Sequence, residues 1–250
     1  MYVCLHLVPA MQTFLLALFL VGITVPALGY QCGRKPFTDR IVGGDTAARA
    51  AFVALADAVN VTVLSGSHYA EKPAALHNAK NVIIHPEYDN DTFNGDISLI
   101  ELVAPIKYNK QTQPICLPSV DEGVELTTKT AWATGWGRTK YGGKASNTLQ
   151  QVKVPFVDLP TCQLPLMKVI PQFRFNRELQ ICAGQEGKDS CQDSGGPLVI
   201  EGDNGKWFQL GITSWGAGCG TTAGLYTRVS GYCDWIASTT DGEVHCQKST

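Results

Sequence analysis

Residues 189–199 read DSCQDSGGPLV, and the architecture of the whole chain follows from them. Ser194 stands between Asp193 and the pair Gly195–Gly196, directly ahead of the apolar run PLVI at 197–200. Glycines permit a tight turn that exposes a hydroxyl together with the N–H groups beside it. A nucleophile flanked by such donors suits a reaction in which an oxyanion develops. A merely polar surface turn gives no reason for this run to enter an apolar strand at once. Asp189 lies five residues before Ser194 and is placed to form the base of a pocket. Further on, SWGAGC at 214–219 offers an extended edge with glycine-lined space beside it.

Outward from that turn, short runs rich in β-branched and aromatic residues recur between turn signals. They are VTVL at 61–64, NVIIH at 81–85, DISLIEL at 96–102, AWATGWG at 131–137, QQVKVPFV at 150–157, PLVI at 197–200, FQLGITSWG at 208–216 and GLYTRV at 224–229. Regular spacing of this kind predicts an all-β barrel or sandwich. Only VSGYCDWIAS at 229–238 has a helical period, with Tyr232, Trp235 and Ile236 on one face. A second short helix is expected near 160–169.

The chain has 250 residues, enough for one large or two small domains with a buried core. Its net charge of −2 offers nothing to nucleic acid or an anionic membrane. The first 29 residues differ in kind. From Met11 an apolar run ends on the small residues Ala27 and Gly29, which reads as a secretory signal cleaved near Gly29. Beyond it stand eight cysteines: Cys32, Cys116, Cys162, Cys182, Cys191, Cys219, Cys233 and Cys246. An even number behind a signal implies disulfides in an oxidising, extracellular compartment. There is no Cys-x-x-Cys or His-x₃-His spacing, so no metal and no cofactor are expected. Asn60 (NVT) and Asn90 (NDT) open glycosylation sequons.

Two more strings carry chemistry. RIVGG at 40–44 places a basic residue before a small apolar pair and two glycines, which suits a proteolytic cut. NGDISLIEL sets Asp96 at the front of an apolar strand, where a buried carboxylate needs a partner. With CQDSGGPLV, ATGWG, SWGAGC and GLYTRV in this order, the chain resembles the trypsin-like branch of the chymotrypsin family of serine proteases, over about residues 32–236. The fold this implies is two antiparallel six-stranded β-barrels with a C-terminal helix and the active site between the barrels. The domain plan is a signal at 1–29, an activation peptide at 30–40, a first barrel at about 41–120, a second at about 121–236 and a tail at 237–250.

The resemblance implies a role for each matching residue. Ser194 is similar to the nucleophile and Asp96 to the acid that orients the catalytic histidine. Arg40–Ile41 resembles the activation bond, after whose cleavage the Ile41 ammonium pairs with Asp193. Asp189 resembles the floor of a specificity pocket for Arg or Lys, with Gly216 and Gly224 keeping its walls open. Ser214, Trp215 and Gly216 resemble the strand that pairs with substrate backbone. Cys32–Cys116, Cys162–Cys182 and Cys191–Cys219 match family bridges; Cys233 and Cys246 are left over for a pairing across the tail. The implied partners are protein substrates with Arg or Lys, an activating protease and protein inhibitors, for a secreted monomer that binds neither nucleic acid nor membrane.

The pattern breaks in two places. The family's Thr-Ala-Ala-His-Cys string is absent, and only 55 residues separate Ile41 from Asp96. That is roughly 30 too few for the usual first barrel, which is therefore expected to be incomplete. Either the whole histidine segment is missing, or FVALADAV is its remnant with Asp57 and Ala58 where His and Cys belong. The five histidines present offer no replacement by context. His6 is in the signal, His245 in the tail, His85 in a structural loop, and His68 and His77 in polar, loop-like stretches. The second break is Gln192 alone between Cys191 and Asp193, where the family carries Gln-Gly and uses that glycine's N–H as an oxyanion donor. By contrast Ala131 and Ile200 replace both members of a common cysteine pair, leaving no orphan thiol.

Two functional readings follow. One is a trypsin-like endopeptidase whose sequence is incomplete here, a skipped exon or misjoined gene model having removed the histidine segment while leaving Asp96, Ser194 and Asp189. The other is a pseudoprotease that acts by binding, as a module or decoy. A lectin- or immunoglobulin-like module is excluded by the order of the motifs.

Overall fold

The computed structural model describes residues 4–5, 32–33, 49–51, 61–109, 111–120, 130–138, 143–185, 194–202, 205–216 and 222–248. Two antiparallel sheets account for the strands among them. The second half of the chain forms β6 (Thr130–Gly135), β7 (Gln150–Pro155), β8 (Gln180–Ala183), β9 (Pro197–Glu201), β10 (Trp207–Gly216) and β11 (Gly224–Arg228). Their order is β7-β6-β9-β10-β11-β8. A bridge between Phe156 and Ala183 joins the two ends. Val157 N–H donates to Cys182 O at 3.1 Å and Gly184 N–H to Pro155 O at 2.9 Å beside it. The sheet thus closes on itself, and closure removes the free edges that an open sheet leaves.

Its interior follows from period-2 alternation. Along β6, TAWATG, the inward positions are Ala131 and Ala133 while Trp132 lies partly exposed. The small residues leave room for Phe208, Leu210, Tyr226 and Ile200, all buried in one cluster. Alternation of small and large side chains fills the taper of a small barrel. Ala131 and Ile200, the expected substitutes for a cysteine pair, are both members of this cluster.

The first half forms β1 (Cys4–Leu5), β2 (Arg49–Ala51), β3 (Thr62–Ser65), β4 (Ala75–Ile84) and β5 (Ser98–Leu102), in the order β1-β5-β4-β3-β2. Among the described residues it has five strands, against the six of a complete barrel. Among the described residues no ladder joins β1 to β2. Two residues of the segment read as a leader, Cys4 and Leu5, pair with Leu99 and Ser98. β4 is largely exposed from Ala75 to Asn81, whereas β5 is buried at Leu99, Ile100 and Leu102.

The tail ties the halves together. A 3-10 turn (Val229–Tyr232) leads into α2 (Cys233–Thr239), and α1 (Leu159–Val169) lies ahead of β8. Asp158 caps α1 by accepting from Thr161 N–H. Val229, Tyr232 and Ile236 pack with Ile97, Leu99, Leu117 and Ile212, so the C-terminal helix buries residues of both sheets at once. Backbone bonds between Ala70 and Asn147 (2.7 Å) and between Leu149 and His68 (2.9 Å) also cross between the halves. Disulfides join Cys32 to Cys116, Cys162 to Cys182 and Cys233 to Cys246, with Cα separations of 5.0, 5.9 and 5.8 Å.

Three sequence expectations are corrected. β8 is a strand that the pattern did not single out. β4 starts at Ala75, so His77 belongs to a strand and not to a loop. The helical tail begins as a 3-10 turn, because Ser230 and Gly231 are poor helix formers in its first turn.

Local stability is expected to differ between the sheets. In native-state hydrogen exchange, amides of β6, β9 and β10 should persist to global unfolding while those of β3 and β4 exchange through a lower-energy opening. Equal protection in both sheets would contradict this.

Candidate active site

Asp96 enters β5 from a tightly folded loop. His85 N–H donates to Ile97 O at 3.1 Å, Asp89 N–H to Asn94 O at 2.9 Å, and Phe93 N–H to Asp89 O at 2.7 Å. Gly95 has φ +66°, and a Cβ there would meet the Glu87 carbonyl at 2.8 Å, so this turn needs glycine. Its N–H donates to the Tyr232 hydroxyl at 2.8 Å. Burial above all pushes the Tyr232 and Tyr88 phenols up to about 12; the Asp96 charge adds to this at both, while the Gly95 hydrogen bond partly opposes it at Tyr232. Both therefore remain protonated, and the Tyr232 oxygen is available as an acceptor.

Asp96 itself is 0% exposed. A carboxylate at such a site needs donors. Ser214 Oγ donates to Asp96 Oδ2 at 2.6 Å, and Thr227 Oγ1 donates to the Asp96 carbonyl at 2.8 Å. Both donors belong to the second barrel, so the acid of the first sheet is held by strands β10 and β11 of the other. The β10–β11 ladder shifts register between Thr213 and Trp215, leaving Ser214 without an opposite residue on β11. Such a bulge re-aims a side chain, here towards Asp96.

Ser194 lies half-buried in the turn before β9. Gly195 has φ +82°, the left-handed region that glycine tolerates, and its N–H donates to Thr213 O at 2.8 Å. Thr213 returns two bonds to Gly196 O, from N–H at 2.7 Å and from Oγ1 at 2.9 Å. The turn that carries Ser194 is therefore pinned to Thr213, and the adjacent residue, Ser214, holds Asp96. Trp215 follows, its ring stacked on Phe93 at 6.2 Å. Gly216 pairs with Gly224, which also pairs with Ala183.

The described histidines have other roles. His77 shares a 2.9 Å hydrogen bond with Ser65 Oγ. His85 Nδ1 accepts from Glu87 N–H at 3.2 Å, and its ring lies against Tyr232 and Trp235 at 5.1 and 4.8 Å. His68 meets Tyr69 edge-on at 5.2 Å, while its carbonyl accepts from Trp136 Nε1 at 3.1 Å. His245 is exposed in the tail. None of these four rings is bonded to Ser194 or Asp96. Among the described residues no group of His, Cys, Asp and Glu is arranged to hold a metal ion.

Of the site residues read from sequence, Ser214 bonds to Asp96, the two glycines after Ser194 bond to Thr213, and Gly216, next to Trp215, pairs with Gly224. Arg40, Ile41, Asp189, Cys191, Gln192, Asp193 and Cys219 lie outside the described residues, as do Asp57, Ala58 and Asn60. Sequence reasoning placed Ser214 only beside substrate and missed its bond to Asp96. It also missed Thr227 and Tyr232. Their strings, GLYTR and SGYCDW, read as plain strand and helix, with no polar pattern to mark them.

The comparisons with known proteins agree with this arrangement. The family profile described as Trypsin matches residues 42–236. The chain is 38% identical over 176 residues to the serine proteinase stubble of Drosophila melanogaster, covering 68% of this chain and 22% of that protein. It is 34% identical over 221 residues to the serine protease filzig of the same fly, covering 84% of this chain and 12% of that protein. The chain belongs to the trypsin family of serine proteases, and its closed second barrel, second sheet and C-terminal helix have the chymotrypsin fold. It spans less than a quarter of the length of either curated relative.

Two outcomes are expected from these contacts. Ser214→Ala removes a donor from a buried carboxylate and should cost about 1.5–3 kcal/mol in urea unfolding; a change near zero would show that the bond contributes nothing net. Burial also holds the His77 and His85 imidazoles below their ordinary value, with Glu87 partly opposing this at His85. The unfolded chain then binds more protons, so this contribution is full above about pH 6.5 and is lost as pH falls through the folded values. Melting temperatures at pH 7.5 and 5.5 should differ less in a His77→Gln, His85→Gln double variant than in the parent.

Proposed function

We propose that this member of the trypsin family is a secreted zymogen-type protein that recognises Arg or Lys through Asp189 and has no histidine base. As written it turns substrate over at or near background. One observation carries the reading: Ser194 and Asp96 are anchored on adjacent residues of β10, and no described imidazole bonds to either. Loss of the base of a Ser-His-Asp system costs on the order of 10⁶ in rate. Loss of one oxyanion donor, from the missing glycine beside Gln192, costs about 10²–10³ more. The absent base therefore decides the outcome.

Other features support the extracellular setting. Three disulfides fit an oxidising compartment. Among the described residues no helix is long and apolar enough to cross a membrane. Activation would proceed by a cut after Arg40, freeing the Ile41 ammonium to pair with Asp193 and order the turn before Ser194. The partners of this reading are an activating protease, Arg- or Lys-bearing proteins and protein inhibitors, met by a monomer.

A second reading is favoured by the two separate lesions, the histidine gap and the single Gln192. On it, the chain is a pseudoprotease that works by occupying targets. Both readings share Asp189, and one experiment separates them from an active enzyme. After cleavage at Arg40, the chain should bind an aromatic amidine yet leave Arg and Lys amide substrates uncleaved. Turnover comparable to ordinary trypsin-like enzymes would overturn the proposal. Asp189→Ser should weaken amidine binding about 10–100-fold, the equivalent of a charge-assisted pair, and unchanged binding would remove Asp189 from the pocket.

A further inference from the structure

We propose that Asn90 carries an N-linked oligosaccharide, rooted on the loop whose Phe93 packs on Trp215. The inference rests on the secreted reading above, because the modification takes place in the secretory pathway. Asn90-Asp91-Thr92 is a sequon, and Asn90 is exposed at a turn. Its amide is divided in a useful way. Oδ1 accepts from the Tyr88 hydroxyl at 3.3 Å, while Nδ2 donates to no protein group. The nitrogen that bears a sugar is therefore free, and the oxygen that orients the amide keeps its bond after modification.

The loop around it is firm. Asp89 Oδ1 accepts from Asp91 N–H at 2.7 Å and from Thr92 N–H at 3.2 Å. The Thr92 carbonyl accepts from buried Gln180 at 2.8 Å. One residue on, Phe93 is 7% exposed and packs on Trp215 and Phe173 at 6.2 and 6.3 Å. An oligosaccharide at Asn90 thus leaves the surface three residues from the Phe93–Trp215 stack. No other described asparagine stands in a sequon; Asn60 lies outside the described residues.

The chemistry balances with one co-reactant, a lipid pyrophosphate-linked oligosaccharide. The Asn90 amide nitrogen attacks the anomeric carbon. A C–N bond forms, the C–O bond to the pyrophosphate breaks, and the lipid pyrophosphate leaves. The amide proton passes to a base of the transferase.

The test is expression of the full chain in secreting cells, followed by peptide-N-glycosidase and peptide mass mapping. The expected result is a glycosidase-sensitive mobility step that is absent in Asn90→Gln and Thr92→Val and present in Thr92→Ser, with aspartate at position 90 after treatment. A chain recovered from the medium with residue 90 unmodified overturns the proposal. Retention of the chain inside the cell counts instead against the secreted reading. In that case the same chain behind a heterologous secretory signal decides the site, with modified Asn90 supporting it and unmodified Asn90 overturning it.

Discussion

The hydrogen bond from Ser214 Oγ to Asp96 Oδ2, 2.6 Å long, is the point at which the two halves of the molecule become one site. A fully buried carboxylate cannot stand alone. β10 of the closed barrel supplies it with a side-chain donor, Ser214. Thr213, one residue earlier on the same strand, holds the glycine turn that bears Ser194. Placement of the acid and of the serine is therefore a property of a single strand and its bulge. Tyr232 and Thr227 extend the same logic, since both reach back from the C-terminal half to the backbone around Asp96.

This division of labour places most of the described site on the second half of the chain. The barrel that positions Ser194, Ser214 and Trp215 is complete, closed and packed around Phe208 and Tyr226. The other sheet is shorter and open among the described residues, and β4 is exposed over much of its length. It is nevertheless clamped at two places: by the tail helix against Ile97 and Leu99, and by the crossing at His68 to Leu149. The Cys32–Cys116 bridge packs in the cluster of the closed barrel, and its two ends are 84 residues apart in the chain. Closure of a loop of this length by a disulfide contributes about 4–5 kcal/mol in the chain-entropy account.

Much of this was legible in the sequence. The strands of the closed barrel announce themselves as β-branched runs between turn signals, and the SGG run of residues 194–196 marks the turn ahead of β9. What was not legible depended on distant partners. His77 looked like a loop residue because its strand is polar on both sides, and only pairing with β3 makes it a strand. The bond from Ser214 to Asp96 was hidden because the bulge that turns it there is a matter of register between β10 and β11. QICA at 180–183 is too short to declare itself, yet it closes the barrel.

The central claim is that Ser194 is held in place without a base to activate it. Its most direct test is exposure of the chain, cut after Arg40, to a fluorophosphonate reagent, with the modified residue located by mass spectrometry. The account predicts that Ser194 stays unlabelled under conditions that label an active serine protease completely. Rapid labelling of Ser194, with a rate that falls as pH drops through the imidazole range, would show that a histidine serves it after all.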